Sequence, residues 1–208
     1  GGNSSVKFYA YSIAGNSWTT LTNPPSSPYG DGIGSTMAVD ASGNIYFAAG
    51  GATTNFLKYT VTSSAPYGEW SVLSSIGNSV GRGSRAIYDS ENNDILILTG
   101  NNGHTISKYD IDSSTMTNYS GAPNDPGFTS GASMVKNDDN DIVYAITGQN
   151  YAWLERLNLN NGTWGSRQTS STPAAGNTVG YMIHKPGENR IYTTFGGTSF
   201  YYLRPQNG

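Results

Sequence analysis

Cysteine is absent from this 208-residue chain, which removes disulfides, thiolate zinc sites and cysteine nucleophiles together. Charge is scarce as well. Asp, Glu, Lys and Arg make up 12% of residues and the net charge is −3, about half the charged share of an average soluble protein. With no basic field and no Lys/Arg cluster, nothing is there to hold a nucleic-acid backbone. No apolar run approaches the roughly 20 residues of a membrane-spanning helix, so no membrane insertion is expected. No window carries a helical apolar period either, because Gly, Asn or Pro interrupts each one. Histidine is limited to His104 and His184, far apart in sequence.

What is abundant is Gly (27) and Tyr (15), with Ser, Thr and Asn making a polar but uncharged surface. That balance suits short strands joined by many turns. Asn-X-Ser/Thr sequons at Asn3, Asn118 and Asn161 are glycosylation candidates and point to a secreted or cell-surface location. The chain opens on Gly rather than Met, which reads as a processed chain or an excised piece.

The segment GSTMAVDASGNIYFAAGG (34–51) returns as GSRAIYDSENNDILILTGN (83–101), GASMVKNDDNDIVYAITGQ (131–149) and VGYMIHKPGENRIYTTFGG (179–197). Met37, Ala86, Met134 and Met182 stand 49, 48 and 48 residues apart, a period in the range of propeller blades. Each unit reads as four strands: a short apolar first strand, then a β-branched or aromatic second strand ending at glycine. A third strand alternates polar with apolar, as in NFLKYTV, TISKYDI and AWLERLNL. The fourth is short and usually opens with Trp.

Residues 8–51 resemble a kelch repeat: an aromatic strand, a turn, N-x-W-x-x-L, a Pro-containing loop, a small apolar strand, then Ile-Tyr and a diglycine. The resemblance extends over essentially the whole chain. It loosens later, where the diglycine becomes Thr99-Gly100 and Thr147-Gly148, Met116 replaces Trp, and the usual loop arginine appears only as Arg82 or Arg85. It implies an all-β fold, a β-propeller of four-stranded antiparallel blades, with residues 1–208 as one kelch-like domain. Trp18, Trp70 and Trp164 are expected to cover the outer core between blades.

Counting strands gives four firsts, four seconds, five thirds and four fourths. The terminal blade is expected to be split between residues 1–21 and 174–208, with one third strand in surplus. A compact four-bladed ring is preferred, because the ends must be covered. Part of a larger propeller, or an array completed by another chain, are the alternatives, and the last implies self-association through the terminal strands.

The resemblance also implies a binding face built from the loops between second and third strands and between successive blades. Those loops carry Tyr29, Asp31, Arg82, Arg85, Asn101, His104, Asp125, Phe128, Tyr151 and Trp153. Aromatic faces beside Asn, Asp and Arg suit a sugar ring, by stacking on its C–H face and hydrogen bonding its hydroxyls. The plain alternative is a set of Gly/Asn-rich turns whose aromatics cover the core. The acidic turns 40–44, 89–94 and 137–141 resemble calcium loops but lack their spacing. Asn and Asp favour tight turns for backbone reasons, so no metal and no cofactor is expected.

No nucleophile–base–acid pattern accompanies either histidine. Of the four glutamates, Glu69 and Glu155 sit in strands and Glu91 and Glu188 in turns. The copper-radical chemistry known among kelch propellers needs a cysteine joined to a tyrosine, which this chain cannot supply. The expectation is therefore a non-catalytic, extracellular, lectin-like binding module for a carbohydrate or protein partner. Its rivals are a structural or assembly module and the propeller portion of a larger extracellular enzyme.

Overall fold

A computed structural model describes residues 7–25, 32–64, 67–122, 127–137, 140–149, 151–165, 180–188, 190–195 and 199–204. A hairpin, β1 (Tyr9–Ser12) and β2 (Ser17–Thr20), comes first. The first full sheet follows as β3 (Thr36–Val39), β4 (Ile45–Ala48), β5 (Phe56–Val61) and β6 (Gly68–Val72). The second is β7 (Arg85–Asp89), β8 (Asp94–Leu98), β9 (Ile106–Asp110) and β10 (Thr115–Tyr119). The third is β11 (Ser133–Asn137), β12 (Ile142–Gly148), β13 (Tyr151–Asn158) and β14 (Thr163–Trp164). Three strands close the series: β15 (Tyr181–His184), β16 (Ile191–Phe195) and β17 (Ser199–Leu203).

Each sheet is an antiparallel meander in chain order, and the hairpin and the last three strands form sheets of their own. The first strands neighbour one another in series, β3 with β7, β7 with β11, and β11 with β15. Such a sheet is apolar on both faces, so each must be covered by a neighbour. Register sorts the side chains. Ala38 lies opposite Tyr46, and Ala48 opposite Phe56. These four face the following blade and meet Ala86, Ile95, Ile97 and Tyr109 of its near side. Leu96, Leu98 and Ile106 meet Met134, Val143, Ala145 and Leu157 in the same way. Tyr144, Ile146 and Leu154 then meet Met182 and Ile191. Second strands are covered from both sides, which is why every residue of β8 and β12 is buried and why they read as near-continuous apolar runs.

Polar links add register between blades. Thr36 Oγ1 accepts from the Ala86 amide at 2.8 Å, and Ser133 Oγ from the Met182 amide at 3.2 Å. At the loop end, backbone bonds backbone. Ala52 N donates to Val80 O and Val80 N to Thr53 O, while Asn102 N donates to Phe128 O and Phe128 N to Gly103 O, at 2.7–2.9 Å. Glycine allows this approach. Gly34 and Gly83, both at φ near +84°, lie so close to the carbonyls of Gly81 and Thr129 that a Cβ on either would collide.

Two expectations are corrected. The split terminal blade does not form among the described residues: β1–β2 and β15–β17 are separate sheets. The reason is that β17 already pairs with β16 from Ile191 to Phe195 and fills the third-strand place that β1 would take. Trp18 covers no inter-blade core and is 71% exposed. It lies opposite Tyr11 on the side of the hairpin that no described sheet covers, whereas Trp70 and Trp164 pack against buried clusters as expected.

Gly34 and Gly43 flank β3 with nearly equal φ, +84° and +82°, but only Gly43 has open space around its missing Cβ. Gly43→Ala should cost about 1 kcal/mol for left-handed backbone alone. Gly34→Ala should cost at least about 2–3 kcal/mol, because the inter-blade contact must open as well. Urea unfolding of the two variants checks this, and equal losses would refute the backbone contact.

Candidate functional site

The first strands frame a cleft of about 240 Å³ between β7, β11 and β15, with Arg85, Ile87, Val135, Lys136, Ile183 and His184 in its walls. Arg85 is the first residue of β7 and stands at the loop end. Its Nε is buried and has no hydrogen-bond partner among the described residues. Three residues earlier, Arg82 is exposed in the turn before the strand. Of the two arginines the sequence offers, one therefore lines the cleft and the other sits on the rim.

The rim is assembled by backbone bonds. Asn101 N donates to Arg82 O at 2.9 Å, which sets two candidate residues side by side. His104 follows in the same loop, half-buried, its carbonyl accepting from Ala122 N at 3.1 Å. Trp153 belongs to the next blade, half-buried in β13, with its amide bonded to Thr147 Oγ1 at 3.3 Å. Phe128 corrects an expectation. It is 1% exposed and packs in the core against Trp164, ring centroids 6.1 Å apart, so no sugar can stack on it. Tyr29, Asp31, Asp125 and Asn3 lie outside the described residues, as does the side chain of Tyr151. Asn118 and Asn161 are both exposed, Asn118 on β10 and Asn161 in the turn before β14. Asn161 Oδ1 accepts from the Thr163 amide at 3.0 Å.

At the opposite end, the acidic turns use their oxygens on the chain itself. Asp40 Oδ1 accepts from the amides of Ser42 and Asn44 at 2.9 and 2.8 Å. Asp89 takes the Glu91 amide at 3.2 Å and Asn92 Nδ2 at 2.9 Å. Turn geometry is thus what these residues build. His184 flanks the equivalent turn, with Nε2 3.0 Å from Glu188 O.

Sequence reasoning missed one group here. Lys136, buried in β11, reaches back to the preceding blade, where its ammonium lies 2.9 Å from Asp89 and also contacts Glu91; Asp141 of its own blade is at 3.2 Å. Burial opposes the ammonium charge, but the three carboxylates outweigh it and hold its pKa above the ordinary lysine value. Burial likewise acts to raise Asp141, but Asn92 and Lys136 hold its carboxyl below the usual range. The available signal is positional: Lys136 takes the place of Val39, Tyr88 and His184 in the repeat, beside an acidic turn.

No protein-family model and no curated protein matches the sequence. Solved structures do. One, a crystal structure of the mitotic checkpoint complex, aligns with a TM-score of 0.62 over 93% of this chain and 52% of that one, at 11% identity. Another, a structural-genomics protein of unknown function from Bacteroides thetaiotaomicron, gives a TM-score of 0.58 over 90% of this chain and 50% of that one, at 17% identity. With the blade-by-blade sheets, these likenesses decide the architecture. The chain has an all-β, propeller-type fold. It spans about half the length of the two chains it matches.

Lys136→Met strands the buried Asp89 carboxylate without its cation and should destabilise by roughly 3–5 kcal/mol. The pH dependence gives a second readout. Asp141 has a depressed folded-state pKa, so its contribution is present above the unfolded value near 4 and is lost as pH falls through the folded one. Wild-type stability should therefore fall more steeply with acid than that of Lys136→Met. Denaturant titrations from pH 7 to about pH 3 would show parallel curves if the ion cluster contributes nothing.

Proposed function

We propose that this chain is a non-catalytic binding module of kelch type, secreted or displayed at a cell surface, that takes a glycan at the loop end of its central cleft. The observation that carries this reading is Arg85, whose Nε–H is buried beside the cleft and has no acceptor among the described residues. A buried donor without a partner is costly, and a ligand oxygen would satisfy it. Arg82 and Asn101, joined through the backbone on the rim, supply further donors and acceptors for hydroxyls. The kelch assignment rests on the first repeat, with its N-x-W-x-x-L segment and diglycine. The extracellular location rests on the uncharged polar composition and on the exposed sequons at Asn118 and Asn161.

The reactive side chains are engaged in structural roles, which supports binding without catalysis. Asp40 and Asp89 cap turns, and Asp89, Glu91 and Asp141 surround Lys136. His104 and His184 lie at opposite ends of their blades, one in a loop between second and third strands and the other beside a first-strand turn.

A glycan array of neutral and acidic sugars, probed with the folded chain, tests the reading. Binding to a defined sugar class is expected. Arg85→Ala should weaken it about tenfold or more, the size of a lost charge-assisted hydrogen bond, and Arg82→Ala on the solvated rim should weaken it less. Retention of no sugar, or equal binding by wild type and Arg85→Ala, would remove the glycan reading.

A further inference from the structure

The repeat supplies its own internal control for what a covered face looks like. Phe56, Ile106 and Leu154 occupy one position on three successive third strands, each facing the following blade, and are 1%, 0% and 4% exposed. Phe200 holds that position on β17, opposite Thr194, and is 67% exposed. Tyr181, Ile183 and Tyr202 share its side of the last sheet and are exposed with it. Arg190 and Arg204 lie over the Tyr202 ring.

The other end of the array shows the reverse. Ala86, Met134 and Met182 face the preceding blade and are 7%, 1% and 5% exposed, whereas Met37, at the same position on β3, is 52% exposed. Val39 beside it and Tyr9, Tyr11 and Trp18 on the hairpin are exposed on the same side. The hairpin covers only the outer half of the first full sheet, through Phe8, which meets Tyr59 and Trp70 at 5.1 Å. The inner half, carrying Met37 and Val39, stays open.

We infer that these two end faces bind one another between two copies of this chain, head to tail, so that the pair forms one closed ring. The occupant follows from continuity. Inside the molecule three successive interfaces join a face of the Phe200 kind to a face of the Met37 kind, and each copy carries one free face of each kind. Contacts between unlike patches generate either a ring or an open filament. Two copies suit a ring, since the chains matched by this fold are about twice as long as this one. Apart from Ile183, which also stands in a wall of the cleft, this surface is separate from it, and the inference does not depend on the glycan reading.

Sedimentation velocity of the 208-residue chain over a wide concentration range tests the inference. The expected species is a dimer that dissociates on dilution. Tyr181→Lys and Met37→Glu alter exposed side chains at opposite ends, so both should melt close to wild type while each weakens the dimer about tenfold or more. Mixed together, they should associate more tightly than either alone, because one of the two interfaces then joins unaltered faces. Should either variant misfold, Phe200→Ser and Val39→Ser serve the same purpose. A strict monomer, an open-ended polymer, or a dimer indifferent to these substitutions would overturn the proposal. So would mixing without rescue, which marks a like-with-like interface.

Discussion

A small sheet that is apolar on both sides cannot persist alone in water, and every part of this structure answers to that constraint. Burying one Phe or Leu side chain stabilises by roughly 1.5–3 kcal/mol, and here the main clusters each draw residues from two neighbouring blades. Tyr46, Phe56 and Tyr109, for example, come from two different sheets and form one cluster. Stability therefore belongs to pairs of neighbouring blades rather than to blades. The two ends differ from the middle for the same reason, since each has a partner on one side only.

Polar groups are arranged around this stacking rather than against it. Hydroxyls of Thr36 and Ser133 cross from one first strand to the next, satisfying amides that would otherwise be buried without acceptors. Lys136 does the same with charge. Its ammonium is taken out of water but surrounded by carboxylates from two blades, the condition under which a buried cation is tolerated. Loss of either partner blade would leave opposite charges uncompensated, so the cluster holds the second and third sheets in one relative position.

Much of this was legible in the residues. The spacing of Met37, Ala86, Met134 and Met182 identifies the repeat, and the tally of strand types, including the surplus third strand, matches the seventeen strands among the described residues. Asp40 and Asp89 read as turn builders and are so used. The misreadings share a cause. Phe128 sits in GFTSG, a Gly/Ser-rich stretch that looks like an open loop, yet its bridge to Gly103 draws it beneath the surface. Trp18 looks like its counterparts Trp70 and Trp164, but its exposure depends on a neighbouring sheet that local pattern cannot reveal. Lys136 appears as one of three polar residues in the short strand SMVKN, and only the superposed repeats put the acidic turn beside it. Local pattern specifies which way a side chain points; burial depends on what stands opposite.

The loop end is fastened main chain to main chain, through pairs such as Val80 with Thr53 and Phe128 with Gly103, and glycine supplies the closeness this requires. Asn101 holds a left-handed backbone, φ +55°, which favours Asn or Gly, but exposed side chains such as that of Arg82 are spectators to folding. Over time they can be exchanged for other residues at little thermodynamic cost, provided the glycines persist. Architecture and recognition are in this way decoupled, and a lineage carrying this scaffold is free to change what it recognises while keeping how it folds.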